Sequence, residues 1–200
     1  SLRDLIVALN AHQEKCYHLG VGKHVTRSNL AKANENRDYR IFEDFAFYMI
    51  SEARKKRIND IFKLNGNVYA FDSTTIDLCL KLFPWANFRT HKGGIKIHTL
   101  YDVETQVPAF IHITEAKIND VKAMDVIPYE SGSFYVFDRA NDYHRLYKIH
   151  MMDSFFFVRA KTNIKAKVLK WKRRLPKNIQ SDCEIELTGF YTQKSYPETI

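Results

Sequence analysis

Two β-prone runs of four residues, Val68-Tyr69-Ala70-Phe71 and Phe134-Tyr135-Val136-Phe137, each lead straight into an aspartate, Asp72 and Asp138. Short apolar runs of this kind read as buried strands. Each aspartate stands where its strand is expected to end, and in open α/β sheets the carboxyl ends of strands are where sites are built. If the two strands are neighbours, the carboxylates converge. Carboxylates side by side repel each other, so they need a cation between them or a raised pKa on one. Oxygen-only ligation favours magnesium or manganese. The rival explanation is local. An aspartate after a strand is often a turn residue or a helix N-cap, and Asp138 precedes a helical stretch.

The remaining pattern tells where these strands belong. Leu2, Leu5, Ile6 and Leu9 recur at helical spacing, and Gly20 and Gly22 break the run. Ser28 is expected to cap a short helix. Asp38 is expected to cap a longer one with an apolar face of Ile41, Phe42, Phe45, Met49 and Ala53. That helix ends in Arg54-Lys55-Lys56-Arg57, a run that suits a helix C-terminus in solvent better than a DNA contact. The period changes near Asn65-Gly66. Ile95 to Tyr101 alternates as a strand, Val107 to Ile113 follows after a turn, and with the first run they predict an antiparallel meander. Asn119 or Asp120 opens a helix closed by Pro128; a helix over Tyr143 to Met151 leads to a last strand, Phe155 to Val158. The order β-β-β-α-β-α-β is that of a ribonuclease-H-like mixed sheet flanked by helices, an α/β fold with parallel late strands. The expected organisation is a helical segment over 1–64, the core over 65–160, and the start of a basic β-rich insertion over 161–200.

Hydrophobic residues make up 45% of the 200 residues, enough for a core of that size. The net charge of +8 favours a polyanionic partner, with double-stranded DNA the foremost expectation. Cys16, Cys79 and Cys183 are odd in number and widely spaced, which reads as reduced cytoplasmic thiols. His12, Cys16, His18 and His24 match no zinc spacing. No apolar run approaches a membrane span, no signal peptide is visible, and the first residue is Ser1, so the natural start is expected upstream.

Lys161 to Lys177 carries eight basic residues and no acid, with Lys170, Lys172, Arg173 and Arg174 around Trp171. This fits a surface that grips a nucleic-acid backbone. Trp171 either stacks on an unpaired base or belongs to the core. Phe155-Phe156-Phe157 reads as a buried strand. Lys96 and His98 lie two apart and share a strand face, there to touch DNA phosphate, to steady the site, or simply to meet solvent. Arg139 is placed to balance the charge of Asp138, or lies on the surface.

Three segments carry a family resemblance. Tyr69-Ala70-Phe71-Asp72-Ser73-Thr74 resembles the first-aspartate motif of DDE transposases. His91-Lys92-Gly93-Gly94-Ile95-Lys96-Ile97-His98-Thr99-Leu100-Tyr101-Asp102 resembles the second-strand segment of a bacterial branch, the insertion-sequence-four family. Phe137-Asp138-Arg139-Ala140 with Asp142-Tyr143 resembles that branch's second-aspartate motif. The resemblance implies a ribonuclease-H-like domain with a β-rich insertion. It also implies magnesium-dependent cutting of transposon ends with joining to target DNA, and dimers on paired ends. By position Asp72 and Asp138 would be the first two of three metal-binding carboxylates. Two ions, roughly 3.5–4 Å apart, suit in-line phosphoryl transfer.

The chain departs from the family in two places. The third carboxylate belongs to a motif Tyr-x-x-Arg-x-x-x-Glu, and no tyrosine here has an arginine three residues on. Glu184 and Glu186 lie in the expected insertion and are poor substitutes. Only Asn141 separates Asp138-Arg139-Ala140 from Asp142-Tyr143, one residue fewer than in the family, and one residue turns a helix by about 100°. Two other functions are therefore carried beside the transposase: a truncated or decayed DNA-binding remnant, and a ribonuclease-H-like nuclease unrelated to transposition.

Overall fold

A computed structural model of the chain describes residues 2–21, 24–55, 62–78, 87–89, 92–138, 142–160 and 162–200. These divide into two compact units, Ser1–Met49 and Ile50–Ile200, a division that falls inside a helix.

The first unit holds helices α1 (Leu2–Ala11), α2 (Gln13–Cys16), α3 (Arg27–Asn36) and most of α4 (Arg40–Lys55). Thr26, rather than Ser28, caps α3, its hydroxyl accepting from the Asn29 amide. Asp38 accepts from the Arg40 amide at the start of α4, as expected. The apolar stripe of α4 is present, but Ile41, Phe42, Phe45 and Met49 are exposed. Helical periodicity reports a face and not what covers it.

The second unit is built on a six-stranded mixed sheet. Its strands are β1 (Val68–Leu78), β2 (Asn87–Arg89), β3 (Lys92–Asp102), β4 (Val107–Glu115), β5 (Phe134–Phe137) and β6 (Phe155–Val158). The order runs β2-β3-β1-β5-β6, and β4 also pairs with β3. β1, β3 and β4 form the expected antiparallel meander, while β1, β5 and β6 are parallel. Between β4 and β5 lie α5 (Asp120–Ala123) and a 3-10 turn (Met124–Val126); α6 (Tyr143–Met151) links β5 to β6. The basic tail forms a separate two-stranded sheet, β7 (Ala166–Trp171) with β8 (Cys183–Leu187), followed by α7 (Phe190–Ser195).

Tyr69, Phe71, Leu100, Met124, Tyr135, Phe137, Leu146 and Ile149 fill the core, and Leu187 and Tyr196 from the tail join them. One aromatic expectation needs correction, and one open alternative is decided. Phe155 and Phe157 are 55% and 57% exposed, because they share an open face of the sheet with the exposed Val136 of β5, and of the three only Phe156 turns toward the core. Trp171 is 60% exposed on β7, so it is not a core residue.

Gly66 explains why the period changes where it does. A Cβ there would fall on the carbonyl oxygen of Gly132, which turns with φ +76° just before β5. Since that oxygen belongs to backbone, Gly66→Ala has to shift one of two chain segments that lead into β1 and β5. The expected loss is about 1–3 kcal/mol in chemical denaturation, and a midpoint equal to that of the unsubstituted chain would refute the close approach.

A polar network braces the same end of the sheet. Glu130 accepts from Arg54 Nη2 at 2.7 Å, Tyr69 OH at 2.7 Å and Asn67 Nδ2 at 2.8 Å. Arg54, read from sequence as a solvated helix end, is therefore turned onto a carboxylate. Burial pushes the Glu130 carboxyl up, but these donors outweigh it and hold it below its ordinary value of 4.5. The native state thus favours the ionised form. Its stabilisation, about 1 kcal/mol after allowance for partial exposure, is present above that value and is lost as pH falls through the depressed native one. Melting of the wild type should fall more steeply than that of Glu130→Gln as the solution is acidified below 4.5. Parallel curves would show that the network contributes nothing.

Candidate active site

Parallel pairing between β1 and β5 ends at Phe71 with Phe137. Asp72 and Asp138 are the next residues in register, on adjacent strands that run about 4.8 Å apart. Both are exposed, and both line one pocket of about 140 Å³ with Phe71, Ser73, Asp120 and Phe137. Such a space holds several waters or a hydrated cation.

The surroundings differ from expectation in one respect. β1 does not end at Asp72; it continues to Leu78, paired with β3 from Tyr69–Asp102 to Leu78–Gly93. Asp72 is therefore a mid-strand residue at the point where one neighbouring strand stops. Asp138 does end its strand. The helix-cap role that competed for it falls instead to Asp142, whose carboxylate accepts from the His144 and Arg145 amides and pairs with Arg145. Tyr143 is partly buried against the core. Arg139 and the short segment through Asn141 lie outside the described residues.

Lys96 and His98 are not on an exposed face. His98 is fully buried and Lys96 is 15% exposed, because β3 lies between β1 and β4 and α5 covers this part of it. Lys96 Nζ donates to the Ile118 carbonyl at 2.9 Å and stands 3.2 Å from Asp120 Oδ1. His98 Nε2 meets Thr114 Oγ1 at 2.9 Å, and its Nδ1 lies 3.5 Å from Asp120 Oδ1. Burial drives the His98 pKa down and Lys96 and His112 add to this, against the pull of Asp120, so the ring is neutral near pH 7.

Asp120 was not legible as a pocket residue; in the sequence it is one of two candidates to open a helix. Asn119 takes that task, its side chain accepting from the Val121 amide. Asp120 is left to accept a hydrogen bond from Ser73 Oγ at 2.8 Å. Among the described residues no three His, Cys, Asp or Glu side chains gather closely enough to hold a metal ion. Asp72 and Asp138 are two hard oxygen donors open to a common space, a fit for part of a magnesium or manganese ligand set.

Lys170 and Lys172 on and after β7 face Glu184 at 3.5 Å and Asp182 at 2.9 Å, and Arg173 and Arg174 are exposed beside them.

The Transposase DDE domain family matches residues 64–195, from the approach to β1 through α7. The chain belongs to this family. It is similar to a Sinorhizobium fredii protein named "Putative transposase y4zB", with 32% identity over 72% of the chain and 40% of that protein. It is also similar to the "Probable transposase for insertion sequence element IS5377" of Geobacillus stearothermophilus, with 24% identity over 64% of the chain and 36% of that protein. The chain thus spans about two fifths of the length of these relatives. No helix among the described residues is long and apolar enough to cross a membrane.

Proposed function

We propose that this chain is part of the catalytic core of a DNA transposase of the insertion-sequence-four branch, with a ribonuclease-H-like sheet. The observation that carries the proposal is the placement of Asp72 and Asp138 side by side, open to one pocket, where the β1–β5 pairing ends. The strand order β4-β3-β1-β5-β6, with its meander and parallel crossovers, supports the fold. The reaction is cleavage of phosphodiester bonds at transposon ends and transfer of the freed strand into target DNA. The partner is double-stranded DNA, with two protomers on paired ends.

In this proposal Asp72 and Asp138 hold magnesium or manganese. Divalent ions bound there would supply activation of the attacking oxygen and charge stabilisation on the leaving oxygen. Phe71 and Phe137 back the two carboxylates with apolar surface, which strengthens electrostatics at the site. Lys170, Lys172, Arg173 and Arg174 grip the phosphate backbone, and Trp171, exposed among them, offers a face for a base. The motif that carries the third carboxylate is not within these 200 residues, so the proposed activity is that of the whole protein. The test is magnesium-dependent end cleavage and strand transfer by the whole protein carrying Asp72→Ala or Asp138→Ala.

A further inference from the structure

We propose that Asp120 is a positioning residue, which fixes the strand segment carrying Asp72 through its bond to Ser73. The inference rests on the reading of Asp72 and Asp138 as metal ligands. Up to Phe71, β1 has a strand on each side; beyond Phe71 it keeps β3 but loses β5. The Ser73–Asp120 bond stands at that place, on the pocket side, and restores a lateral restraint one residue from Asp72.

Asp120 is itself held. Lys96 reaches both its Oδ1 and the Ile118 carbonyl, tying the start of α5 to β3. The fully buried His98 turns toward the same oxygen a ring nitrogen that has no hydrogen-bond partner among the described residues. One carboxylate oxygen thus collects a hydroxyl, an ammonium and an imidazole nitrogen. Lys96 balances the negative charge of Asp120, which suits an anchor better than a metal ligand. A residue acting this way holds the adjacent ligand in one orientation, and loss of such a partner weakens metal binding without removing a ligand.

The experiment is calorimetric titration of the whole protein with Mn²⁺ alone, accompanied by melting without metal. Ser73→Ala leaves the Lys96–Asp120 pair intact, so it is expected to melt as the wild type does and to bind Mn²⁺ about 10-fold more weakly. Asp120→Ala is expected to weaken binding at least as much. Asp120→Asn keeps an oxygen that accepts from Ser73 and Lys96, and should recover most of the affinity. Wild-type affinity in Ser73→Ala overturns the assignment, even if Asp120→Ala fails to fold. Equal weakness of Asp120→Asn and Asp120→Ala also overturns it, since the charge and not the hydrogen bond would then matter. If Asp72→Ala abolishes binding while Ser73→Ala leaves it untouched, only this inference falls. If the unsubstituted whole protein binds no Mn²⁺, the metal reading of Asp72 and Asp138 falls and this inference with it.

Discussion

Asp72→Ala and Asp138→Ala in the whole protein are each expected to lower magnesium-dependent cleavage of transposon ends by about 10²–10³-fold, the scale set by loss of a main charge-stabilising group. The two carboxylates occupy equivalent places on adjacent parallel strands and line the same pocket, so neither can substitute for the other. Both side chains are exposed and outside the core, so folding should survive. The expected pattern is therefore a normal melting temperature with no nicked or joined product. Binding to transposon-end DNA, supported by the basic residues around Trp171, should persist. Cleavage retained by either variant at more than about a tenth of wild type would sink the assignment, since a catalytic ligand lost at this site cannot cost so little.

The second large effect concerns DNA affinity. Replacing Lys170, Lys172, Arg173 and Arg174 together by alanine removes four cations from one exposed stretch. A cation that neutralises one phosphate contributes about 0.9 to the slope of log K against log salt, and so about fivefold in affinity at physiological salt. If all four contact phosphate, the slope falls by about 3.6 and affinity on the order of 10³-fold. The shares are not expected to be equal. Lys170 and Lys172 already face Glu184 and Asp182, surface pairs worth about 0–1 kcal/mol that DNA has to displace. The pair Arg173→Ala and Arg174→Ala should therefore account for more than half of the loss. An unchanged salt slope in the fourfold variant would place the DNA surface elsewhere.

Much of the sheet was legible in the sequence because its strands are bounded by turn residues and its helices by caps. The aromatic runs before Asp72 and Asp138, the alternation of Ile95 to Tyr101 and the Asn119 cap all correspond to observed elements. The far half of β1 was not legible. Asp72-Ser73-Thr74-Thr75 is polar and the strand is expected to end at Asp72, yet the segment is strand because β3 pairs with it along its whole length. The same non-local pairing hid the fate of Lys96 and His98. Their period of two was correct, but alternation tells which residues share a face and not which face is covered. Phe155 and Phe157 show the converse error, for an apolar run is buried only where something covers the face it turns to, and the face they share with Val136 is open. Asp120 carried no signal, since a residue beside a helix cap looks alike whether it meets solvent or a strand 47 positions earlier.

The different lengths of β1 and β5 make the two carboxylates mechanically unequal. Asp72 is embedded in a ladder that continues six residues beyond it, so its backbone is clamped from both directions along the chain. Asp138 follows four residues of β5 that pair with both β1 and β6, and no ladder among the described residues includes it. Of the two carboxylates, Asp72 is the one whose backbone the sheet fixes on both of its chain sides. Amide exchange should divide in the same way, slow through β1 past Asp72 and faster at Asp138 itself.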